Sequence, residues 1–334
     1  MRAMVLRHNA SIHSRPLAAA DVPQPEPGHG EIRVRVRACA ICRTDLHVIE
    51  GELPARKLPL IPGHQVVGVV EKLGDGCTRF AVGQRVGIAW LRHTCGICDF
   101  CRNGRENLCA SSRYTGYHAD GGYAEQAVVP ETYAYAIPAS FGDEHAAPLL
   151  CAGIIGYRAL ALSDVAPGGR LALYGFGSSA HVVLQIARHR GCEVYVATRG
   201  KSHQELALRM GAAWAGSATE TPPVPADGAI IFAPAGELVP VALRAVRNGG
   251  TVACAGIYMS DIPAMTYGEH LFHEKKLRSV EANTRRDGEG LLQEAAEIPV
   301  RPVVTRFALE EANEALIALA EDRIDGTGVL AFGS

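Results

Sequence analysis

The second half of the chain alternates between short apolar runs and longer stretches in which apolar residues recur at helical spacing. Residues 170–191 read RLALYGFGSSAHVVLQIARHRG, which predicts an aliphatic strand, a glycine-containing turn and a helix that ends at Gly191. Further apolar runs follow as EVYVATR, GAIIFAPA, TVACAGI and KLRSVEAN, and LVPVALRAVRNGG has helical spacing. Strands separated by helices predict an α/β fold with a doubly wound parallel sheet.

The first part of the chain carries short valine-containing runs broken by PQPEPGHG, LGDG and AVGQ, which are rich in turn residues. One of these runs, RVRVR at 33–37, alternates between polar and apolar residues, as is typical of a strand with one solvent-exposed face. The pattern predicts an irregular β-barrel. After about residue 284, GEGLLQEAAEI and EEANEALIALAEDR predict two helices, and GVLAF predicts a closing strand.

Composition places the chain among ordinary globular proteins. Its 334 residues are 48% hydrophobic, enough for two domains with cores of their own, and its formal net charge is −2. The basic residues are spread along the chain, so we expect neither nucleic acid nor an anionic membrane as a partner. The N-terminal residues include charges and histidines where a signal peptide is apolar, so we expect a cytoplasmic protein.

Ten cysteines in a chain without a secretory signal indicate metal binding or catalysis before disulfides. In CGICDFCRNGRENLC, three cysteines are spaced C-x2-C-x2-C and a fourth follows after seven residues. Four thiolates complete one tetrahedral shell with no open position, so the motif predicts a structural zinc site at Cys95, Cys98, Cys101 and Cys109. A redox or disulfide cluster and an iron–sulfur cluster are the alternatives that this spacing leaves open.

A second set of candidate ligands is dispersed: Cys42 in CRTDLH, His64 in PGHQVVG and Cys151 in LLCAGIIGY. Taken singly, a histidine in an apolar stretch is more often a core residue, and a cysteine beside leucines is more often a small hydrophobe. Taken together, two thiolates and an imidazole would hold zinc and leave its fourth position open to a substrate oxygen. The remaining cysteines are interpreted as core or incidental residues: Cys39, Cys77, Cys192 and Cys254.

These residues and motifs resemble the zinc-dependent medium-chain alcohol dehydrogenases, including the cinnamyl-alcohol-dehydrogenase-like branch. The likeness runs, in the family's order, through RACAICRTDLH, PLIPGHQVVGVVEKLG, VGQRVGIAW, the four-cysteine motif, DGGYAEQAVVP, APLLCAGIIGYRAL and the glycine turn. It implies a GroES-like catalytic domain at 1–149 with a zinc lobe at about 93–111, and a Rossmann cofactor domain at 150–283. It also implies a segment at 284–334 that returns to the catalytic domain, and a homodimer or homotetramer.

The resemblance also assigns roles at the dispersed site. It implies three ligands of a catalytic zinc ion: Cys42, His64 and Cys151. The four-cysteine lobe would hold a second zinc ion. Thr44 and His47 would relay the proton of the reaction, and Asp45 would stand behind the metal as a carboxylate that orients a ligand.

Gln65 departs from the family pattern, in which a glutamate commonly follows the histidine ligand. An amide keeps hydrogen bonding but drops the charge, so we expect Gln65 to leave the zinc ion a stronger Lewis acid. By the same resemblance, Trp90 and Leu53 would line the substrate pocket. Leu53 stands where the family often has a bulky tryptophan, which predicts a preference for medium-chain or aromatic primary alcohols over ethanol.

The glycine turn has the G-x-G-x-x-A form of a dinucleotide fingerprint, placed between a strand and a helix. Its predicted cofactor-binding residues are Gly175, Gly177, Ser178, Ser179 and Ala180. The second strand ends in ATRGKS, without the acid that would bind a ribose 2′-hydroxyl. Thr198, Arg199 and Lys201 offer donors and positive charge suited to a 2′-phosphate, so we expect NADP rather than NAD.

The resemblance therefore implies reversible hydride transfer between NAD(P) and a zinc-bound primary alcohol or aldehyde. The alternative hypothesis is a catalytically silent NAD(P)-binding protein of the same fold, acting as a redox sensor or a structural protein. Such a protein would be expected to have lost the catalytic ligands, and this chain keeps all three.

Overall fold

The computed structural model describes residues 1–298, 300–324 and 326–333. The chain forms two compact units. The first comprises Met1–Cys151, Asn283–Ala296 and Arg301–Ser334, and the second comprises Ala152–Ala282 and Glu297–Val300. The boundaries predicted from the sequence fall after residues 149 and 283.

The first unit begins with a mainly antiparallel β structure. Its strands up to residue 151 are β1 (Arg2–Leu6), β2 (Leu17–Asp21), β3 (Glu31–Ala40), β4 (Gln65–Leu73), β5 (Arg85–Ile88), β6 (Leu91–His93), β7 (Arg113–Tyr114), β8 (Gln126–Pro130) and β9 (Ala134–Ala136). Its helices are α1 (Arg43–Glu50), α2 (Asp99–Arg102) and α3 (Asp143–Ala146). The alternation predicted for RVRVR is present in β3, where Val34 and Val36 are buried and Arg35 is exposed.

The second unit is a parallel sheet covered by helices. Its helices are α4 (Ala152–Leu162), α5 (Ser178–His189), α6 (Lys201–Arg209), α7 (Leu238–Ala245) and α8 (Tyr267–His270). Its strands are β10 (Arg170–Tyr174), β11 (Glu193–Ala197), β12 (Trp214–Gly216), β13 (Ala226–Ile231), β14 (Val246–Cys254) and β15 (Lys276–Ser279), in the order β12-β11-β10-β13-β14-β15. Every pairing between these strands is parallel, which confirms the predicted doubly wound sheet.

The chain then returns to the first unit. The last elements are α9 (Arg285–Glu297), β16 (Val304–Ala308), α10 (Ala312–Ala320) and β17 (Thr327–Ala331). In the described residues β17 pairs antiparallel with β3, which places the returning segment in the same sheet as the N-terminal strands, in the order β16-β17-β3-β4-β5-β9 with β8 also on β3. The two helices and the closing strand predicted from the sequence are therefore confirmed.

The register between β3 and β4 brings distant residues together. Ala40 at the end of β3 lies opposite Gln65 at the start of β4. Cys42 follows Ala40 by two residues, and His64 precedes Gln65 by one. Because the two strands run antiparallel, both of these residues emerge at the same end of the sheet.

One predicted element is shorter than its apolar spacing indicated. The helical pattern of LVPVALRAVRNGG extends to residue 250, but α7 ends at Ala245 and residues 246–250 belong to β14. Val246 already has extended backbone, and Gly249 adopts φ +73°. Val246 pairs with Ala226 of the parallel sheet, so tertiary pairing overrides the local helical spacing here.

Within the described ranges, no single helix is both long enough and apolar enough to cross a bilayer. A bent pair of helices, Asp143–Leu150 with Ala152–Leu162, has the combined length and apolar composition of a membrane span, which buried core helices can also have.

Glu106 joins the four-cysteine region to α9. Its carboxylate accepts hydrogen bonds from the Arg285 backbone N–H at 2.8 Å, from Nε at 3.0 Å and from Nη2 at 2.6 Å. The Arg285 guanidinium also lies 4.7 Å from the centroid of the Tyr133 ring. Burial raises the pKa of the Glu106 carboxyl, but the contacts with Arg285 outweigh burial and lower it below its ordinary value.

We expect Glu106→Gln to destabilise the fold by roughly 1–3 kcal/mol at neutral pH, because Arg285 loses its charged partner. Since the folded pKa is lowered, this contribution is present above the ordinary glutamate pKa of about 4.3 and is lost as the pH falls below it. Urea midpoints at pH 7 and pH 4 would measure both effects. Glu289→Gln is the control, because its exposed pair with Arg79 should contribute little. Equal midpoints for the two variants at pH 7 would contradict the prediction.

Candidate active site

The first candidate ligand lies at the N-terminus of α1. Cys42 is the N-cap residue of this helix, and its Sγ accepts a hydrogen bond from the Thr44 N–H at 3.3 Å. Asp45 completes a capping box, because its Oδ2 accepts a hydrogen bond from the Cys42 N–H at 2.9 Å. The positive end of the helix dipole and the Thr44 donor stabilise a thiolate at this position.

His64 meets the helix cap from the start of β4. Its Nε2 lies 3.3 Å from the Cys42 Sγ, and its Nδ1 lies 3.0 Å from the Asp45 Oδ1. Gly63, with φ +95°, precedes it, and a Cβ there would lie 2.3 Å from the Tyr123 ring, so glycine is required. A carboxylate bonded to Nδ1–H fixes the imidazole tautomer whose Nε2 can bind a metal.

Cys151 completes the cluster at the end of the first unit. The Sγ atoms of Cys42 and Cys151 and a ring nitrogen of His64 all lie within 4.8 Å of one another. These separations suit zinc, which binds cysteine and histidine at about 2.0–2.3 Å in a tetrahedral arrangement. Three protein donors would leave one position for another molecule, so the donor set fits a catalytic metal.

The buried charges of this cluster favour a cation. Burial lowers the pKa of the His64 imidazole, but the charges of Asp45 and Cys42 outweigh burial and raise that pKa to about 10. The contact with Cys151 lowers the pKa of the Cys42 thiol, and the same contact raises the pKa of Cys151. One thiol of the pair is therefore favoured to ionise while the other stays protonated, and a divalent cation between them would stabilise both as thiolates.

Gln65, directly after His64, is fully buried at the start of β4. Within the residues that the structure describes, neither its Oε1 nor its Nε2 has a hydrogen-bond partner. Buried polar side chains are rarely left without partners, because desolvating an amide costs free energy. One residue after His64, the buried amide of Gln65 therefore has unused hydrogen-bonding capacity.

Helix α1 also carries the two residues predicted to relay a proton. Thr44 is buried in the first turn, and His47 lies within the same helix with 15% of its side chain exposed. The His47 Nδ1 contacts the carboxylate of Glu52. Glu52 was not predicted from the sequence, because it lies five positions after His47 and beyond the end of the helix. The available signal was Gly51, a common residue at helix ends, which has φ +84° here and reverses the chain.

Trp90 lies beside the cluster. Its ring lies 5.0 Å from the His64 ring in an edge-to-face arrangement. Tyr114 stacks on Trp90 at 4.8 Å and Tyr117 at 5.8 Å, distances between ring centroids. The Tyr117 hydroxyl donates to the Pro54 carbonyl at 2.7 Å, next to the half-buried Leu53. The two tyrosines, also missed from the sequence, therefore hold the predicted pocket residues in place.

The four cysteines of the CGICDFC region form a separate cluster in the same unit. The Sγ atoms of Cys95, Cys98, Cys101 and Cys109 all lie within 4.8 Å of one another. All ten cysteines, each among the described residues, are free thiols. The Cys95–Cys109 and Cys98–Cys101 sulfurs are 3.5 Å apart, far beyond an S–S bond of about 2.05 Å. Tetrahedral zinc with Zn–S bonds of about 2.3 Å would space its sulfurs by about 3.8 Å, so the cluster fits a closed zinc site.

Backbone N–H groups donate hydrogen bonds to two sulfurs of this cluster. The Cys95 Sγ accepts a hydrogen bond from the Cys98 N–H at 3.3 Å, and the Cys109 Sγ accepts one from the Cys95 N–H at 3.4 Å. Backbone donors at Ile97 and Cys98 lower the pKa of the Cys95 thiol to about 6. At neutral pH this favours the thiolate, the form that binds zinc.

The glycine turn of the second unit joins β10 to α5. Gly175 adopts φ +89°, and a Cβ there would lie 2.9 Å from the Ala233 nitrogen, so glycine is needed for the turn. Gly177 is the N-cap of α5, and a Cβ on it would meet nothing within 4 Å. Ser178 and Ser179 open the helix, while Ala180 is buried against the core. An uncovered helix N-terminus at a glycine fits a pyrophosphate.

The end of β11 carries the other predicted cofactor residues. Thr198 is buried, and its backbone N–H donates to the Gly216 carbonyl at 3.0 Å. Arg199 is exposed directly after it, and the exposed Lys201 begins α6. The two cations thus lie at the carboxyl end of a parallel strand, where doubly wound sheets bind their ligands.

Comparison with known proteins agrees with this geometry. The family profile described as "Alcohol dehydrogenase GroES-like domain" matches residues 28–139, and the one described as "Zinc-binding dehydrogenase" matches residues 179–297. The probable alcohol dehydrogenase AdhA of Mycobacterium tuberculosis is 48% identical, over 99% of this chain and 97% of that protein. An alcohol dehydrogenase of Geobacillus stearothermophilus is 36% identical, over 95% of this chain and 96% of its own length.

The chain belongs to the zinc-dependent medium-chain alcohol dehydrogenases. Among solved structures, a cinnamyl alcohol dehydrogenase from Sorghum bicolor matches with a TM-score of 0.88 and 27% identity, over 99% of this chain and 97% of that one. The resemblance and the fold inferred from the motifs are therefore confirmed. As a family member, this dehydrogenase uses NAD(P) and zinc and acts on alcohols or aldehydes.

We expect Asp45→Asn to weaken zinc binding at the Cys42 cluster by about 10–100-fold, because the amide no longer orients His64 as a carboxylate does. Loss of alcohol oxidation during titration with a zinc chelator would measure this. Asp21→Asn, at the exposed end of β2, is the matched control. If the Asp45 variant and the control needed the same chelator concentration for half-inactivation, Asp45 would not support the metal.

Proposed function

We propose that this dehydrogenase interconverts primary alcohols and aldehydes at a catalytic zinc ion, with NADP as its preferred cofactor. The proposed ligands of that ion are Cys42, His64 and Cys151. The observation that carries the proposal is the convergence of these three residues, distant in sequence, around a buried carboxylate that orients the imidazole. A second zinc ion is proposed for the four-cysteine lobe, with a structural role because its donor set leaves no open position.

Zinc, when bound, supplies Lewis acidity toward the substrate oxygen, and the nicotinamide exchanges the hydride. The residues of the chain supply positions and a path for the proton. Thr44, buried one turn from His47, is proposed to hold the hydroxyl proton of the substrate. His47 is partly exposed and is proposed to exchange that proton with water. Gln65 is proposed to face the reacting group without adding a charge.

The substrate class follows from the walls of the proposed pocket. Trp90, held by two stacked tyrosines, gives a flat and rigid aromatic surface beside His64. Leu53 is smaller than the tryptophan that is frequent at its position in the family. Together these residues support a medium-chain or aromatic primary alcohol, rather than ethanol, as the preferred substrate.

The cofactor preference rests on the end of β11. Thr198, Arg199 and Lys201 offer donors and two cations, and no carboxylate stands at the end of this strand. A carboxylate is what would bind the ribose 2′-hydroxyl of NAD, whereas arginine suits the 2′-phosphate of NADP. Gly177, Ser178 and Ser179 at the start of α5 are proposed to hold the pyrophosphate.

A homodimer or homotetramer is also proposed. It is supported by large apolar side chains that the second unit exposes between β14 and β15: Ile257, Tyr258, Ile262, Tyr267 and Phe272. Exposed large apolar side chains concentrated in one segment are common at protein interfaces.

The test combines metal analysis with initial rates. We expect about two zinc ions per chain, one for each cluster. We also expect higher kcat/KM for hexanol and benzyl alcohol than for ethanol, and faster turnover with NADP than with NAD.

Arg199→Ala should abolish the NADP preference. Arg209→Ala, which changes an exposed arginine at the end of α6, should leave that preference unchanged. One zinc ion per chain without turnover, a clear ethanol preference, or equal NADP selectivity in both variants would each contradict its part of the proposal.

We expect Gln65→Glu to raise the pH at which alcohol oxidation reaches half its plateau rate. A buried carboxylate would add negative charge beside His64 and disfavour loss of the substrate hydroxyl proton. The pH dependence of kcat/KM measures the shift. Gln65→Met, of similar size and uncharged, should keep the wild-type midpoint. An unchanged midpoint in the glutamate variant would refute the proposed electrostatic role of Gln65.

A further inference from the structure

The loop between α1 and β4 carries Leu53, one of the two proposed pocket residues. Residues 51–59 of this loop form neither helix nor strand. The loop is anchored at its start, where the Leu53 N–H donates to the His47 carbonyl at 3.0 Å. The next three residues, 54–56, are exposed. The position of Leu53 therefore depends on how the loop is held just beyond it.

Tyr117 holds the loop at that point. Its hydroxyl donates to the carbonyl of Pro54, the residue after Leu53, at 2.7 Å. Proline has no backbone N–H, so this carbonyl is the only backbone group through which Pro54 can form a hydrogen bond. The Tyr117 side chain is buried although the residue that it holds is exposed. The bond thus ties an exposed loop to a buried ring.

The Tyr117 ring is itself fixed. It stacks on the Trp90 ring at 5.8 Å and meets the His118 ring edge-on at 4.7 Å, both measured between centroids. The backbone nearby is also held, since the Thr115 N–H donates to the Trp90 carbonyl at 2.9 Å. Aromatic contacts on two sides restrict how the ring can turn. The hydroxyl is therefore a fixed point, and the loop is the partner that takes its position from it.

A second contact joins the same two segments but lies farther from Leu53. Lys57 pairs with Asp120, and their side chains are 36% and 48% exposed. The Asp120 Oδ1 also accepts the Ile61 N–H at 3.0 Å, eight residues beyond Leu53. Exposed ion pairs restrain a chain weakly. Among the described residues, the Tyr117 hydroxyl is therefore the group that restrains the backbone next to Leu53.

We propose that Tyr117 is a positioning residue for substrate length, acting through Leu53; this inference rests on the substrate pocket proposed above. By holding the Pro54 carbonyl, Tyr117 keeps Leu53 against the distal carbons of the alcohol. Hexanol has five carbons beyond its carbinol carbon and ethanol has one, so a displaced Leu53 costs hexanol a contact that ethanol is too short to make. The loss falls on KM, because an apolar contact far from the reacting atoms is equal in the ground and transition states.

The test is a double-mutant cycle on the zinc-loaded, full-length enzyme, with hexanol and ethanol as substrates. Y117F removes the hydroxyl and keeps the ring, and L53A removes the side chain that is positioned. We expect Y117F to raise KM for hexanol by about 10-fold at unchanged kcat, which is the discrimination that a single methylene contact gives. Its KM for ethanol should equal that of the wild type. In the L53A background Y117F should change neither KM, because no leucine is left to position.

Tyr133 provides the matched control. It is another buried tyrosine of the first unit, and its hydroxyl lies 2.8 Å from the Thr94 Oγ1. Y133F likewise removes one hydrogen-bonded hydroxyl from a buried ring, but the ring does not contact the loop. Its KM values for both alcohols should equal those of the wild type.

A second measurement does not depend on turnover. Amide hydrogen exchange of the zinc-loaded protein, without alcohol or nicotinamide, reports how firmly the loop is held. We expect Y117F to lose protection at residue 53 and at residues 55–57, with exchange in the strands of both units unchanged. Y133F should keep the wild-type protection of the loop.

The outcomes separate this inference from the proposed pocket. A wild-type enzyme that prefers ethanol to hexanol would overturn the pocket and the role of Tyr117 with it. A wild-type preference for hexanol that Y117F retains in full would overturn only the role of Tyr117. Equal losses for both alcohols, an equal hexanol loss in the L53A background, or unchanged exchange of the loop would show that Tyr117 does not act through Leu53 and would also overturn the inference.

Discussion

The arrangement of the candidate site depends on the Asp45 carboxylate and its two bonds. Oδ2 accepts the Cys42 N–H and thereby caps α1, while Oδ1 holds the His64 Nδ1. Burial raises the pKa of this carboxyl, because charge is costly in the interior, and the His64 contact offsets the effect only in part. One side chain thus fixes both the start of a helix and the direction of an imidazole, and Cys42 and His64 meet for that reason.

The two histidine–carboxylate pairs differ in exposure in the way that their proposed roles require. A metal ligand benefits from a dry surrounding, since burial fixes the imidazole and strengthens its interaction with the metal. A group that exchanges protons with the solvent needs access to water. The buried pair of His64 and Asp45 meets the first condition, and the half-exposed pair of His47 and Glu52 meets the second.

Local patterns made part of this structure predictable. The four-cysteine lobe and the glycine turn are encoded by spacing within a few residues, and the parallel sheet by its alternating elements. The partners of His47 and Trp90 were not predictable, because Glu52 lies beyond a helix end and Tyr117 depends on long-range packing. The strand at residues 246–250 escaped prediction for a related reason, since its helical spacing is overridden by pairing with β13.

Charge balance would account for the amide at Gln65 if the proposed metal site is correct. With Cys42 and Cys151 as thiolates and Asp45 ionised, three negative charges would surround one divalent metal ion and a neutral His64. A glutamate at position 65 would add another buried negative charge, and an uncompensated buried charge costs several kcal/mol. The amide avoids that cost, although leaving its two polar atoms without a protein partner costs about 1–3 kcal/mol in turn. The unpartnered amide is thus the less costly choice at position 65, and it is the residue that the sequence has.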